Sequence, residues 1–198
     1  MVRTGLVYHP IYLEHDTDGH PERKERLTTT LKKIEASGLD LEFITPRPAT
    51  LEEVRAIHSS GYIDQVRAIS ERGGGYLDLD TVVSRGSYEA ALMSSGGVIT
   101  GIDCVINDLD NAFALARPPG HHALPNRGMG FCLFNNVAIG AKYAQKQGLE
   151  KVLIVDWDVH HGNGTSAIFY DDRSVMYFSV HQFPHYPGTG RVKELGMD

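Results

Sequence analysis

Cysteine is scarce: Cys104 and Cys132 are the only two in 198 residues. Two thiols cannot build a disulfide framework, which excludes small stapled scaffolds and points to a reducing compartment. Basic excess is also missing. Nineteen Lys and Arg against 25 Asp and Glu leave a net charge of -6, which argues against a nucleic-acid partner. The amino terminus, Met1-Val2-Arg3-Thr4-Gly5-Leu6, lacks the long apolar stretch of a signal peptide. No uninterrupted apolar run reaches the length that spans a bilayer, so no membrane partner is expected. Internal repeats, low-complexity runs and linkers are absent too. What remains is one cytoplasmic domain over residues 1–198 with 41% hydrophobic content, enough for a real core.

The pattern along the chain alternates strands with helices. Short strands are predicted at Gly5 to Tyr8, Leu41 to Ile44, Ala112 to Leu115, Val152 to Val155 and Val175 to Val180. Helices are predicted from Pro21 to Gly38, on the Leu51/Val54/Ile57 and Ile63/Val66/Ile69 faces, over Ser87 to Ile106, over Asn135 to Lys146 and around Thr165 to Tyr170. Gly73-Gly74-Gly75 opens a flexible loop through Thr81. Gly96, Gly97 and Gly101 sit inside the long helix, where glycine costs stability unless another element presses close. This alternation implies an α/β fold, a mostly parallel sheet flanked by helices with right-handed crossovers.

The chemistry concentrates in Lys151 to Gly164. An apolar strand, Val152 to Val155, runs into Asp156, Asp158 and His160 at spacings of two. In extended chain those three face one way. Two carboxylates and an imidazole converging at a strand end have no apolar explanation, and Asp with His suits zinc or a similar divalent ion. Carboxyl ends of parallel strands are also where α/β sheets bind ligands.

Three further stretches stand out. Arg117-Pro118-Pro119-Gly120-His121-His122 presents two histidines from a stiff turn after a strand, an acid/base pair for metal-bound water. Asp156 and Asn163 are available to fix their tautomers. In Gly128 to Asn136, the glycines permit close backbone approach and Phe131 can wall a narrow apolar tunnel, while Asn135 or Asn136 caps the next helix. His181 to Arg191 is an aromatic, glycine-containing loop in which Tyr186 is the opposite wall.

Together these motifs resemble the histone deacetylase superfamily, in the variant of the class II and bacterial deacetylase-like amidohydrolases and acetylpolyamine amidohydrolases. The carriers are Arg117-Pro118-Pro119-Gly120-His121-His122, Gly130-Phe131-Cys132-Leu133-Phe134-Asn135-Asn136, Asp156 to Gly164 and Tyr186-Pro187-Gly188-Thr189-Gly190. His20-Pro21-Glu22-Arg23, Val54 to Ser59 and Asp78-Leu79-Asp80-Thr81 are similar to that family's amino-terminal pattern. The resemblance covers nearly the whole chain in order.

The resemblance implies an arginase/deacetylase-like α/β fold and zinc-dependent hydrolysis of N-acetyl amides, with acetylated lysine peptides or acetylated polyamines as substrates and acetate as product. Asp158 and His160 become zinc ligands. His122 becomes the general base and acid with Asn163 as partner, and His121 the electrostatic histidine held by Asp156. Gly130, through its carbonyl, Phe131 and Tyr186 become substrate-binding. Asp156, Asp158, His160, Ser179 and Val180 form a potassium site beside the zinc, and Arg23 lines an interior channel. Asp16, Asp18, Asp78 and Asp80 are candidates for polyamine recognition.

The family also carries a second aspartate ligand and an oxyanion-binding tyrosine or histidine on later segments. After His160 the aspartates are Asp171, Asp172 and Asp198, and none has that context. The resemblance therefore implies the amino-terminal part of a deacetylase domain, incomplete at its C-terminus and inactive by itself, since a lost oxyanion donor costs about a hundred- to a thousand-fold in rate. Two rival readings remain. A dinuclear manganese ureohydrolase of the arginase/agmatinase type shares the fold but carries Asp-x-His-x-Asp where this chain has Asp156-x-Asp158-x-His160. A non-catalytic interaction module would keep the fold without the chemistry.

Overall fold

The computed structural model describes residues 2–196. Asp198, one of the three aspartates after His160, lies outside the described residues. Two parallel sheets form the frame. β1 (Thr4–Val7) lies between β2 (Glu42–Ile44) and β5 (Asn111–Ala114), and β6 (Val152–Asp156) pairs with β7 (Val175–Ser179). Parallel neighbours need crossovers. These are supplied by α1 (Glu25–Glu35) between β1 and β2, by α5 (Asn136–Lys146) ahead of β6, and by α6 (Asn163–Phe169) between β6 and β7.

Two predicted elements change. The expected start of the first helix at Pro21 moves to Glu25, because Pro21 and Glu22 belong to a turn in which Thr17 donates to the Glu22 carbonyl at 2.5 Å. The expected flexible loop after Gly73 contains an antiparallel ribbon. In it, β3 (Gly74–Tyr76) pairs with β4 (Val82–Ser84), closed by Asp78 accepting from the amides of Asp80 and Thr81. An aspartate turn accounts for the reversal that the glycines alone did not reveal.

The long helix α4 (Ser87–Asn107) is the central post. By length and composition it could cross a membrane, which corrects the expectation that no segment could. Half of its most apolar window is buried inside the protein. Its glycines mark close approach. A Cβ on Gly96 would collide with the Arg47 carbonyl, where the segment 47–49 docks through Ala49 N donating to Leu92 O at 2.9 Å. Gly140 of α5 does the same from the other side, since its Cβ would lie 2.6 Å from Val98. The main core gathers Val54, Ile63 and Val66 from α2 (Leu51–Arg55) and α3 (Ser60–Glu71) with Ile99, Phe134 and Ile139.

Among the described residues no strand lies between β5 and β6. An apolar trough of about 460 Å³ occupies that position, floored by Val98, Ile102, Gly140 and Ala144 and walled by Ala112 and the β6 edge. One face of the β6–β7 ladder is bare as well: Leu153, Val155, Met176 and Phe178 are exposed, while Ile154 between them is buried.

Candidate active site

The histidine pair is held from below by a buried arginine. Arg117 follows β5 and is 1% exposed. Its guanidinium donates to both Glu22 oxygens at 2.6 and 2.8 Å, to Tyr12 O at 3.0 Å and to Thr17 Oγ1 at 3.1 Å. Removing either partner of such a buried pair would leave an uncompensated charge. The Pro118 carbonyl accepts from Ser94 of α4 at 2.9 Å and from Asn136 of α5 at 3.0 Å. The turn carrying His121 and His122 is thus tied to two helices and to the turn around Glu22.

Expected extended chain through His160 is corrected: β6 ends at Asp156. The alternation survives by another route. Asp156 Oδ1 accepts from Asp158 N at 3.1 Å, and Asp158 Oδ1 accepts from His160 N at 2.8 Å. Two successive side-chain-capped turns keep Asp156, Asp158 and His160 on one side while Trp157, 81% exposed, points away.

These segments converge. His121 Nδ1 donates to Asp156 Oδ2 at 2.9 Å, and His122 Nδ1 pairs with Asn163 Oδ1 at 2.8 Å. The two rings lie 4.0 Å apart, His122 lies 6.0 Å from His160, and His160 Nδ1 lies 3.2 Å from Asp158 Oδ1. Both pairings commit Nδ1 and leave Nε2 as the nitrogen of each ring turned away from that partner. Burial, then the neighbouring His121, pushes the His122 pKa down to about 4 against the Asn163 hydrogen bond. Asp156 stays below the usual carboxylate range: burial raises it, and the interactions with His121, Asp158 N and the Tyr177 hydroxyl together outweigh burial. His122 is therefore a neutral acceptor at neutral pH beside a carboxylate-held His121.

The rim comes from two loops. Gly130 (φ 56°) and Phe131 (φ 70°) are the central residues of a turn closed by Cys132 N donating to Met129 O at 3.0 Å. Both lie in the left-handed region, which an aromatic residue rarely adopts. Thr81 Oγ1 accepts from Phe131 N at 3.2 Å, and the Phe131 ring meets His20 edge-on at 4.4 Å. A Cβ on Gly130 would strike the His122 ring and lie 3.0 Å from the Tyr186 hydroxyl, so only glycine fits between them. Tyr186 stands edge-on to His122 at 5.1 Å, and burial followed by Asp78 and Asp80 raises its phenol to about 12. Asp78 is joined to this rim through Thr81, whose N donates to Asp78 Oδ1 at 2.8 Å, whereas Asp16 pairs with Lys24 at 3.8 Å.

Several expected residues stand elsewhere. Arg23 does not line an interior channel: its side chain is 60% exposed and 4.0 Å from Glu25, and the interior arginine is Arg117. Asp172 sits at the opposite end of β7, bonded to Lys142 at 2.6 Å. Ladder register sets Ser179 opposite Asp156, while Ser179 Oγ meets His181 Nδ1 at 2.8 Å and Val180 N donates to Asp156 O at 3.0 Å. Among the described residues no group of three His, Cys, Asp or Glu is arranged to hold a metal ion. Asp158 and His160 are donors of the type zinc accepts, two where a catalytic zinc takes three from the protein.

Sequence reasoning missed Arg117, His185 and Tyr177. His185 lies 5.5 Å from His160. Tyr177 donates to Asp156 Oδ2 at 2.9 Å. Its signal was the period of two on β7, which puts Tyr177 and Ser179 on the Asp156 side of the ladder.

Comparison with known proteins agrees with this geometry. A family model described as the histone deacetylase domain matches residues 20–198. A probable deacetylase of Archaeoglobus fulgidus is 44% identical over 98% of this chain and 55% of its own length. A histone deacetylase-like amidohydrolase of Pseudomonas aeruginosa is 42% identical over 90% of this chain and 47% of its own. The crystal structure of the HDA15 HD domain superposes with a TM-score of 0.95 and 37% identity, covering 100% of this chain and 59% of that one. The chain spans about half the length of these proteins.

Proposed function

The chain belongs to the histone deacetylase family, with its arginase/deacetylase fold, and on that premise we propose that it carries the proton-transfer half of a zinc-dependent hydrolase of N-acetyl amides. The substrates proposed are acetylated lysine peptides or acetylated polyamines, with acetate as product. The observation that carries this reading is the neutral His122, fixed by Asn163 and set beside the Asp156-held His121 and the Asp158–His160 pair.

Asp158 and His160 are the residues that would hold zinc. When bound, zinc polarises an acetyl carbonyl and lowers the pKa of water. His122 Nε2 takes a proton from the attacking water, since Nδ1 is committed to Asn163. The same imidazole returns a proton to the departing amine. His121, held by Asp156, places a second polar ring against His122. Phe131 and Tyr186 flank the approach of a long unbranched acylated amine, and the Gly130 carbonyl, already accepting from Cys132 Sγ at 3.4 Å, has a second lone pair for the substrate amide. Potassium bound by Asp156, Asp158, His160, Ser179 and Val180 would stiffen the β6–β7 end. A cytoplasmic location is part of this proposal, and two cysteines suit a reducing compartment.

A hydroxamate, which binds such a site through its metal, is the direct probe. Binding that requires zinc and is lost in Asp158→Ala supports the reading. Binding without zinc, or unaffected by Asp158→Ala, overturns it.

A further inference from the structure

Asp156 Oδ2 accepts two hydrogen bonds, from His121 Nδ1 at 2.9 Å and from the Tyr177 hydroxyl at 2.9 Å. The Tyr177 oxygen in turn accepts from Gly162 N at 3.0 Å. This leaves no ambiguity in the direction of the chain of bonds. A carboxylate only accepts, so the phenol and the imidazole Nδ1 must both donate. Asp156 Oδ1 is already taken by Asp158 N at 3.1 Å, so the carboxylate has a donor on each oxygen and cannot rotate freely.

The backbone closes the arrangement. A Cβ on Gly162 would strike Asp156 Oδ2 and lie 2.6 Å from the Tyr177 oxygen and 2.9 Å from His121 Nδ1. Three polar groups from β6, β7 and the histidine turn thus meet around one hydrogen-only position. Packing alone does not require the hydroxyl. The Tyr177 ring contacts His161 at 6.0 Å, a contact phenylalanine would keep.

We propose that Tyr177 is a positioning residue for His121: its hydroxyl, braced by Gly162 N, locks the Asp156 carboxylate and thereby holds His121 as the Nδ1–H tautomer with Nε2 bare. That Nε2 points to the Asp158 side, 4.0 Å from Asp158 Oδ1. Without the phenol, Asp156 Oδ2 keeps one of its two donors, and the His121 ring is held by a single bond to an oxygen that Tyr177 no longer braces. The importance of this for catalysis rests on the deacetylase reading, but the tautomer itself does not.

The test is nitrogen and proton NMR of the His121 imidazole in the 198-residue chain and in Tyr177→Phe. Wild type is expected to show a protected Nδ1 proton and a bare Nε2. In Tyr177→Phe, with the fold intact by its other resonances, exchange of the Nδ1 proton with water is expected to rise about fivefold to tenfold, the effect of losing one buried hydrogen bond. Tyr177→Trp, which fills the site with a donor of other geometry, is expected not to restore protection. An unchanged Nδ1 proton in folded Tyr177→Phe, or a wild-type His121 protonated at Nε2 instead, overturns the proposal. Either result is obtained without metal or turnover, so failure of the deacetylase reading would be seen separately, in the hydroxamate experiment.

Discussion

His122 shows how single contacts set a residue's task. Burial keeps the ring neutral, and Asn163 fixes which nitrogen is free. In a full-length deacetylase domain that includes this chain, His122→Ala is expected to lower acetate release from an acetyl-lysine peptide about a hundred- to ten-thousand-fold while leaving metal content unchanged, read by turnover alongside metal analysis. His58 uses the same chemistry for structure. Its Nε2 accepts from Asn135 N at 2.8 Å and its Nδ1 donates to Leu124 O at 3.1 Å, so the folded protein needs it neutral, and burial pushes its pKa down to about 4. The unfolded chain protonates first, near the ordinary histidine value of about 6.5. Stability contributed by neutral His58 is complete above that pH and falls as pH drops toward 4, by at most ~1.4 kcal/mol per unit. Urea midpoints measured across this window are expected to decline in wild type and to flatten in His58→Gln.

At the scale of elements, the strand and helix pattern was legible because periodicity and apolar runs report burial directly. Val152 to Val155 read as a strand and is one; the glycines of Ser87 to Ile106 announced a close neighbour, and Arg47 at Gly96 and Tyr12 at Gly97 are pressed against the helix there. The β3–β4 ribbon was not legible, because its reversal depends on one aspartate side chain capping two amides. The same applies to the site. Asp158 and His160 were found by spacing, yet what holds them is a pair of side-chain turns rather than strand geometry. Tyr177 and Arg117 act through partners distant in sequence, which spacing does not encode. On β6 the two faces predict opposite outcomes. Ile154→Arg buries a charge and is expected to unfold the chain, whereas Leu153→Arg, on a residue 60% exposed, is expected to shift the urea midpoint by less than about 0.5 kcal/mol. Equal effects would contradict the bare face.

The molecule as a whole joins two parallel sheets across α4 and α5, with an apolar trough where β5 and β6 face each other. Its site gathers residues from the histidine turn, the end of β6, α6 and the loop after β7 at one edge of that frame. On the proposed assignment Asp158 and His160 are two zinc donors rather than three, so weak zinc binding and negligible turnover by these 198 residues are the expected outcomes. The central claim is that Asp158 and His160 hold zinc beside His122. Equilibrium dialysis against zinc tests it most directly. One zinc per chain, bound weakly and lost in both Asp158→Ala and His160→Ala, is the predicted result. Zinc retained in both variants, or two manganese ions bound in preference to one zinc, would contradict it.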